Sequence, residues 1–203
     1  MNSVKVGSKL VSENSPTYMI AEIGINHNGD LEIAKKLIDE AVKAGFDAVK
    51  FQKRTIRIVF TPEELARPRD SVFGSTNGDL KYGLEFDHND FTKIDEYCKE
   101  SGIDWFASPW DNESLEFLQE FNVVAHKVAS ACLTDKQLLK GMKATGKPVF
   151  LSTGMSSLDQ IKTAVALLDP ENTILLHAVS VYPAKQEQLY LSWLKELKKN
   201  FPN

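Results

Sequence analysis

The stretch "YMIAEIGINHNGDLEIAKKLIDEAVKAGFDAVKFQ", residues 18–52, joins two short apolar runs through one amphipathic run. Both apolar runs finish in polar groups: Glu22, Asn26 and His27 after the first, Lys50 and Gln52 after the second. Between them Ile33, Leu37, Ile38, Ala41 and Val42 recur at helical spacing, with Asp30 placed to cap the start and Gly45 to end the helix. The stretch reads as strand, helix, strand, and short strands separated by a helix imply a right-handed parallel βαβ unit.

The same alternation runs on. Strands are expected over 18–24, 47–52, 104–108, 125–129, 148–152 and 173–178, and helices over 31–44, 89–101, 112–120, 135–145, 157–168 and 187–200. The fifth helix starts at Ser156 or Ser157 and carries Ile161, Ala164, Val165 and Leu168 on its apolar side. Residues 3–13 read as a short hairpin. Residues 53–88 mix Pro, Gly and charge without a sustained period, and so long an insertion reads as a surface loop or as a lid or wall of a site.

Two parallel architectures compete. A doubly wound sheet announces a Gly-rich nucleotide turn after its first strand, whereas here that turn is "GINHNGD". A barrel instead places polar groups at the C-terminal end of every strand. That pattern recurs: Ser108-Pro109-Trp110-Asp111 after strand three, Lys127 and Ser130 at strand four, Ser152-Thr153-Gly154 after strand five, and His177, Ser180 and Tyr182 after strand six. The expected fold class is therefore α/β, a TIM (β/α)8-type barrel with six βα units in this chain. Residues 1–203 are expected to form a single partial or truncated barrel domain, with a seventh strand due where the chain stops.

Composition narrows the function. A formal net charge of −4 argues against a nucleic-acid scaffold, which would carry a basic stripe. Cys98 and Cys132 are too few for a disulfide framework and fit no zinc spacing. The start has no apolar signal core and no later run is long enough to span a membrane, so a cytoplasmic location is expected. Lys50 and Lys127 can neutralise a phosphate or carboxylate, Ser108, Ser130 and Ser152 supply hydroxyl donors, and Glu22 supplies a carboxylate for proton handling or sugar binding. Tyr182 can stack on or hydrogen-bond a polar substrate. Plainer readings stand beside these. Lys50 can snorkel from its strand end, His126 and His177 read as core histidines, His27 as a brace for its turn, His88 as solvated, and Gly154 as ordinary turn punctuation. Lys127 is harder to dismiss, because a central strand rarely tolerates an unpaired lysine.

"AEIGINHNG", "AVKFQ", "WFASPWD", "HKVAS", "PVFLSTGM" and "LLHAVSVYP" occur in that order. Together they resemble the barrel domain of the N-acetylneuraminate (sialic acid) synthase family, which includes nonulosonic acid synthases and spore-coat polysaccharide enzymes. The resemblance implies condensation of phosphoenolpyruvate with an N-acylated hexosamine such as N-acetylmannosamine, releasing phosphate through C–O cleavage. It implies a divalent metal, manganese or magnesium, and a homodimer. By position, Lys50 and Lys127 match lysines that hold phosphoenolpyruvate, and Ser108, Ser130 and Ser152 match donors around its phosphate and carboxylate. Glu22 and Gln52 match polar groups near the reacting carbons and the sugar, and Ser180 and Tyr182 match positions facing the amino sugar.

Two departures accompany the resemblance. Cys132 stands where many members carry a carboxylate. The family's metal-ligand histidines and its C-terminal antifreeze-like domain fall beyond Asn203, so this chain is expected to hold no metal ligands and to be inactive alone. A Schiff-base aldolase using Lys127 and a non-catalytic anion-binding protein remain as alternative readings.

Overall fold

In a computed structural model, residues 3–201 are described, and they fall into two compact units. One comprises residues 18–123. The other joins residues 3–17 to residues 124–201.

The chain opens with the expected hairpin: β1 (Val4–Val6) pairs antiparallel with β2 (Lys9–Val11). In the unit 18–123, β3 (Ile20–Gly24) leads to α1 (Leu31–Lys43) and then to β4 (Ala48–Lys53). The Asp30 carboxylate accepts from the backbone N–H groups of Glu32 and Ile33, and α1 turns its Ala34, Ile38 and Ala41 face inward. Gly45 follows in the left-handed region, where a side chain would be strained.

The insertion is folded rather than loose. It contains α2 (Ile56–Val59), α3 (Pro62–Ala66), an antiparallel pair β5 (Pro68–Ser71) and β6 (Gly74–Thr76), and α4 (Asn77–Leu84). Capping boxes at Thr61 with Glu64 and at Thr76 with Asp79 start α3 and α4. Elements this short show no sustained period, which is why the sequence reads there as a loop. α5 (His88–Ser101), β7 (Asp104–Pro109) and α6 (Asn112–Gln119) complete the unit. β4 lies between β3 and β7, parallel to both, with Glu22 opposite Lys50 and Gln52 opposite Ser108. Phe51, Phe91, Trp105, Phe117 and Phe121 form an aromatic cluster beside the strands.

In the other unit, β8 (His126–Val128), β9 (Val149–Ser152) and β10 (Thr173–Leu176) run parallel with β9 central. The intervening helices are α7 (Lys136–Ala144), capped by Asp135, and α8 (Leu158–Leu167), opened by a Ser157–Gln160 capping box. Leu138, Leu139, Met142, Leu151, Ile161 and Leu168 are buried. The last helix, α9 (Trp193–Asn200), starts later than periodicity suggests, after a 3-10 turn at Gln186–Gln188 and the left-handed Tyr190. Likewise β10 stops at Leu176, so His177, Ser180 and Tyr182 stand in irregular chain beyond it.

Candidate active site

The end of β4 brings four of the expected residues together in the first unit. Lys50 is 2% exposed. Its ammonium lies 3.0 Å from Glu22 Oε2, donates to Ser108 Oγ at 3.2 Å and to the Phe51 carbonyl at 3.3 Å. Three acceptors match its three donors. Strand register explains the set. Lys50 pairs with Glu22 on β3, while Ser108 sits two residues beyond Phe106, its partner on β7. Gln52 lies near Gly24, and a β-carbon at Gly24 would stand 3.5 Å from its amide nitrogen. The Glu22 side chain is 58% exposed, so the cation is interior and its counter-charge is at the mouth.

A second ion cluster, which sequence reasoning missed, sits one residue on. Arg54 is 5% exposed, and its Nε donates to Glu85 Oε1 at 2.5 Å. Lys53 lies 3.9 Å from the other Glu85 oxygen and donates to the Phe86 carbonyl at 2.7 Å. Burial holds the Lys53 pKa below its ordinary value, against the opposing pull of Glu85. Glu85 comes from the insertion, so its wall is tied to β4 by charge. No local pattern announces a pair separated by this much chain.

His27 braces its turn. Its Nδ1 accepts from the Gly29 N–H at 3.1 Å, its ring hydrogen-bonds the Gly24 backbone, and it stacks on Phe86 with centroids 3.9 Å apart. Burial first, and then the nearby Arg54 charge, pull its pKa down to about 4, so the ring is neutral at pH 7. His88 is exposed and 3.1 Å from Glu120.

In the second unit, Lys127 is half-buried on β8 between His126 and Val128, both fully buried. Successive strand residues point to opposite faces, so Lys127 and His126 face opposite ways. Ser152 closes β9 and is buried. Ser130 accepts the Gly154 N–H at 3.2 Å, and Ser180 lies against the same glycine. Gly154 is therefore more than punctuation, because it stands where two expected site hydroxyls meet. Tyr182 is 95% exposed and precedes a cis peptide bond to Pro183. His177 lies near Leu189, and its Nε2–H donates to that carbonyl at 2.7 Å. Cys132 is buried at the end of a 3-10 turn.

Among the described residues, no group of three or more His, Cys, Asp or Glu side chains is arranged to hold a metal ion. The ring nitrogens of His27 are both committed to the backbone, and His177 Nε2 is committed to Leu189. Among the described residues these side chains do not offer a donor set for a divalent ion. No helix among the described residues is long and apolar enough to cross a membrane.

Residues 37–203 match the model of the NeuB family. N-acetylneuraminate-9-phosphate synthase of Homo sapiens is 36% identical over 197 residues, covering 95% of this chain and 55% of that protein. N,N'-diacetyllegionaminic acid synthase of Legionella pneumophila is 30% identical over 205 residues, covering 96% and 58%. The crystal structure of the N-acetylneuraminic acid synthetase of Leptospira borgpetersenii, solved with citrate, superposes with a TM-score of 0.87 at 31% identity. It covers 98% of this chain and 67% of that one. The chain thus spans little more than half the length of these two curated relatives. The fold class is α/β of the TIM-barrel type, as the strand-end pattern indicates.

Proposed function

This chain belongs to the NeuB family, and from that premise we propose that it supplies the phosphoenolpyruvate-binding part of a nonulosonic acid synthase. Such an enzyme joins phosphoenolpyruvate to the aldehyde of an N-acylated hexosamine and releases phosphate. The names of its relatives support that reaction class. The observation that carries the reading is the buried Lys50 ammonium, held by Ser108 and the Phe51 carbonyl, with the exposed Glu22 as its ion-pair partner among the described residues. An interior cation with a replaceable partner is a site for an anion.

In this reading Lys50 and Lys127 neutralise phosphoenolpyruvate, and the hydroxyls of Ser108, Ser130 and Ser152 donate to its oxygens. Gln52 and Glu22 stand toward the reacting carbons, and Ser180 and Tyr182 toward the amino sugar. Removing one partner of a desolvated charge contact costs about 2–5 kcal/mol. Isothermal titration calorimetry of this chain with phosphoenolpyruvate tests the reading directly. Lys50→Met and Lys127→Ala should each weaken binding by tens-fold or more. Unchanged affinity in Lys50→Met would remove the central cation from the site, and an unmutated protein that ignores phosphoenolpyruvate would overturn the function.

A further inference from the structure

The segment Ser152-Thr153-Gly154-Met155 leaves β9 with a glycine whose backbone does not require one. Gly154 is not among the residues with positive φ, whereas the following Met155 is, at φ 60°. The reason for glycine is space. A β-carbon at position 154 would stand 2.5 Å from Ser180 Oγ, 2.8 Å from Ser130 Oγ and 3.2 Å from the Ala178 carbonyl oxygen. The first two distances are closer than real β-carbons approach anything.

The backbone there has little room to retreat. The Thr153 N–H and hydroxyl both donate to the Leu176 carbonyl at 3.0 Å, tying the segment to β10. The Gly154 carbonyl accepts from Ser156 Oγ at 3.2 Å. A methyl group at 154 would therefore displace the two hydroxyls rather than the chain. The Gly154 N–H already donates to Ser130 Oγ, which leaves the Ser130 hydrogen free to donate outward. The Ser180 hydroxyl has no hydrogen-bond partner within the described residues.

We propose that Gly154 is a positioning residue: its missing side chain is the gap in which the Ser130 and Ser180 hydroxyls are held side by side. This rests on the proposed function, in which Ser130 serves phosphoenolpyruvate and Ser180 serves the amino sugar. Gly154 then sets the spacing between a donor for one substrate and a donor for the other. It touches neither substrate and acts through the two serines.

The test is a crossed set of double-mutant cycles on this chain. Phosphoenolpyruvate binding is read by calorimetry, and N-acetylmannosamine binding in its presence by saturation-transfer NMR. Gly154→Ala should weaken both by about tenfold or more, the worth of a hydrogen bond to a charged or buried polar group. In a Ser130→Ala background the same change should no longer affect phosphoenolpyruvate. In a Ser180→Ala background it should no longer affect the sugar. A purely structural role would not separate along those two lines. Equal losses in every background, or binding untouched by Gly154→Ala, would overturn this inference while leaving the proposed function standing. A protein that binds neither probe before mutation would overturn both.

Discussion

Lys50 Nζ lies 3.0 Å from Glu22 Oε2, and the two ends of that pair differ sharply in exposure: 3% for the lysine side chain and 58% for the glutamate. In the proposed site an incoming anion would compete with this glutamate for the Lys50 ammonium. Only the glutamate end of the pair reaches water, so an anion arriving from solvent can take over its role toward the interior Lys50 charge without leaving that charge uncompensated. Glu22→Gln should therefore tighten phosphoenolpyruvate binding, because the anion no longer competes with a carboxylate for the Lys50 ammonium. Calorimetry showing weaker binding would make Glu22 a ligand contact rather than a placeholder.

The Glu85 carboxylate behaves differently, because both of its cationic partners are interior. Glu85→Gln would take from Arg54 and Lys53 the carboxylate that both approach, leaving Lys53 the pull of Asp111 and Asp87. Breaking a buried pair by removing one partner typically costs about 3–5 kcal/mol. Urea unfolding should show a loss of that order. A shift below about 1 kcal/mol, the range of exposed pairs, would mean that water reaches the cluster.

Glycines at left-handed positions separate two effects. Gly45 has φ 77°, and a β-carbon there would meet nothing within 4 Å, so Gly45→Ala carries only the backbone cost, about 1 kcal/mol. Gly29 has φ 72°, and a β-carbon there would overlap the Gly83 carbonyl oxygen, while one on Gly83 would overlap the Phe73 ring. This close approach packs the insertion onto the loop after β3. Gly29→Ala adds overpacking of about 1–3 kcal/mol to the backbone cost. Denaturant midpoints should rank Gly29→Ala well below Gly45→Ala, and equal midpoints would contradict the packing.

Two buried histidines make stability depend on pH. Burial pulls His126 and His27 down to about 4, with Lys147 adding to the effect at His126 and Arg54 at His27. The unfolded chain, with histidines near 6.5, takes up protons first as pH falls. The stabilisation is therefore full above about pH 6.5 and is lost progressively toward pH 4. At pH 5 each ring accounts for a loss on the order of 2 kcal/mol. His126 is 0% exposed, and neither ring nitrogen has a hydrogen-bond partner among the described residues. His126→Leu should thus be neutral or stabilising at pH 7 and should flatten the pH 7 to pH 5 difference in urea midpoint. An undiminished difference would assign the dependence elsewhere.

The alternation of strands and helices was legible along the chain because burial repeats at each element's own period. Asp30, Gly45 and Ser157 marked helix ends for local reasons, since caps answer to backbone groups within three or four residues. The same locality exposed Lys50, Ser108, Ser130 and Ser152 as polar residues at the ends of apolar runs. The insertion escaped because its elements are too short to establish a period, although its two capping boxes were present as short motifs.

What no local pattern carried was distance between residues far apart in sequence. That Lys50 is neutralised by Glu22, that Glu85 answers Arg54, and that Gly154 makes room for Ser130 and Ser180 follow from strand register and loop packing. A residue type states which bonds it can make. Its partner is chosen by which segments the fold brings within hydrogen-bond reach, and a glycine needed for space rather than for φ looks the same in sequence as any other glycine.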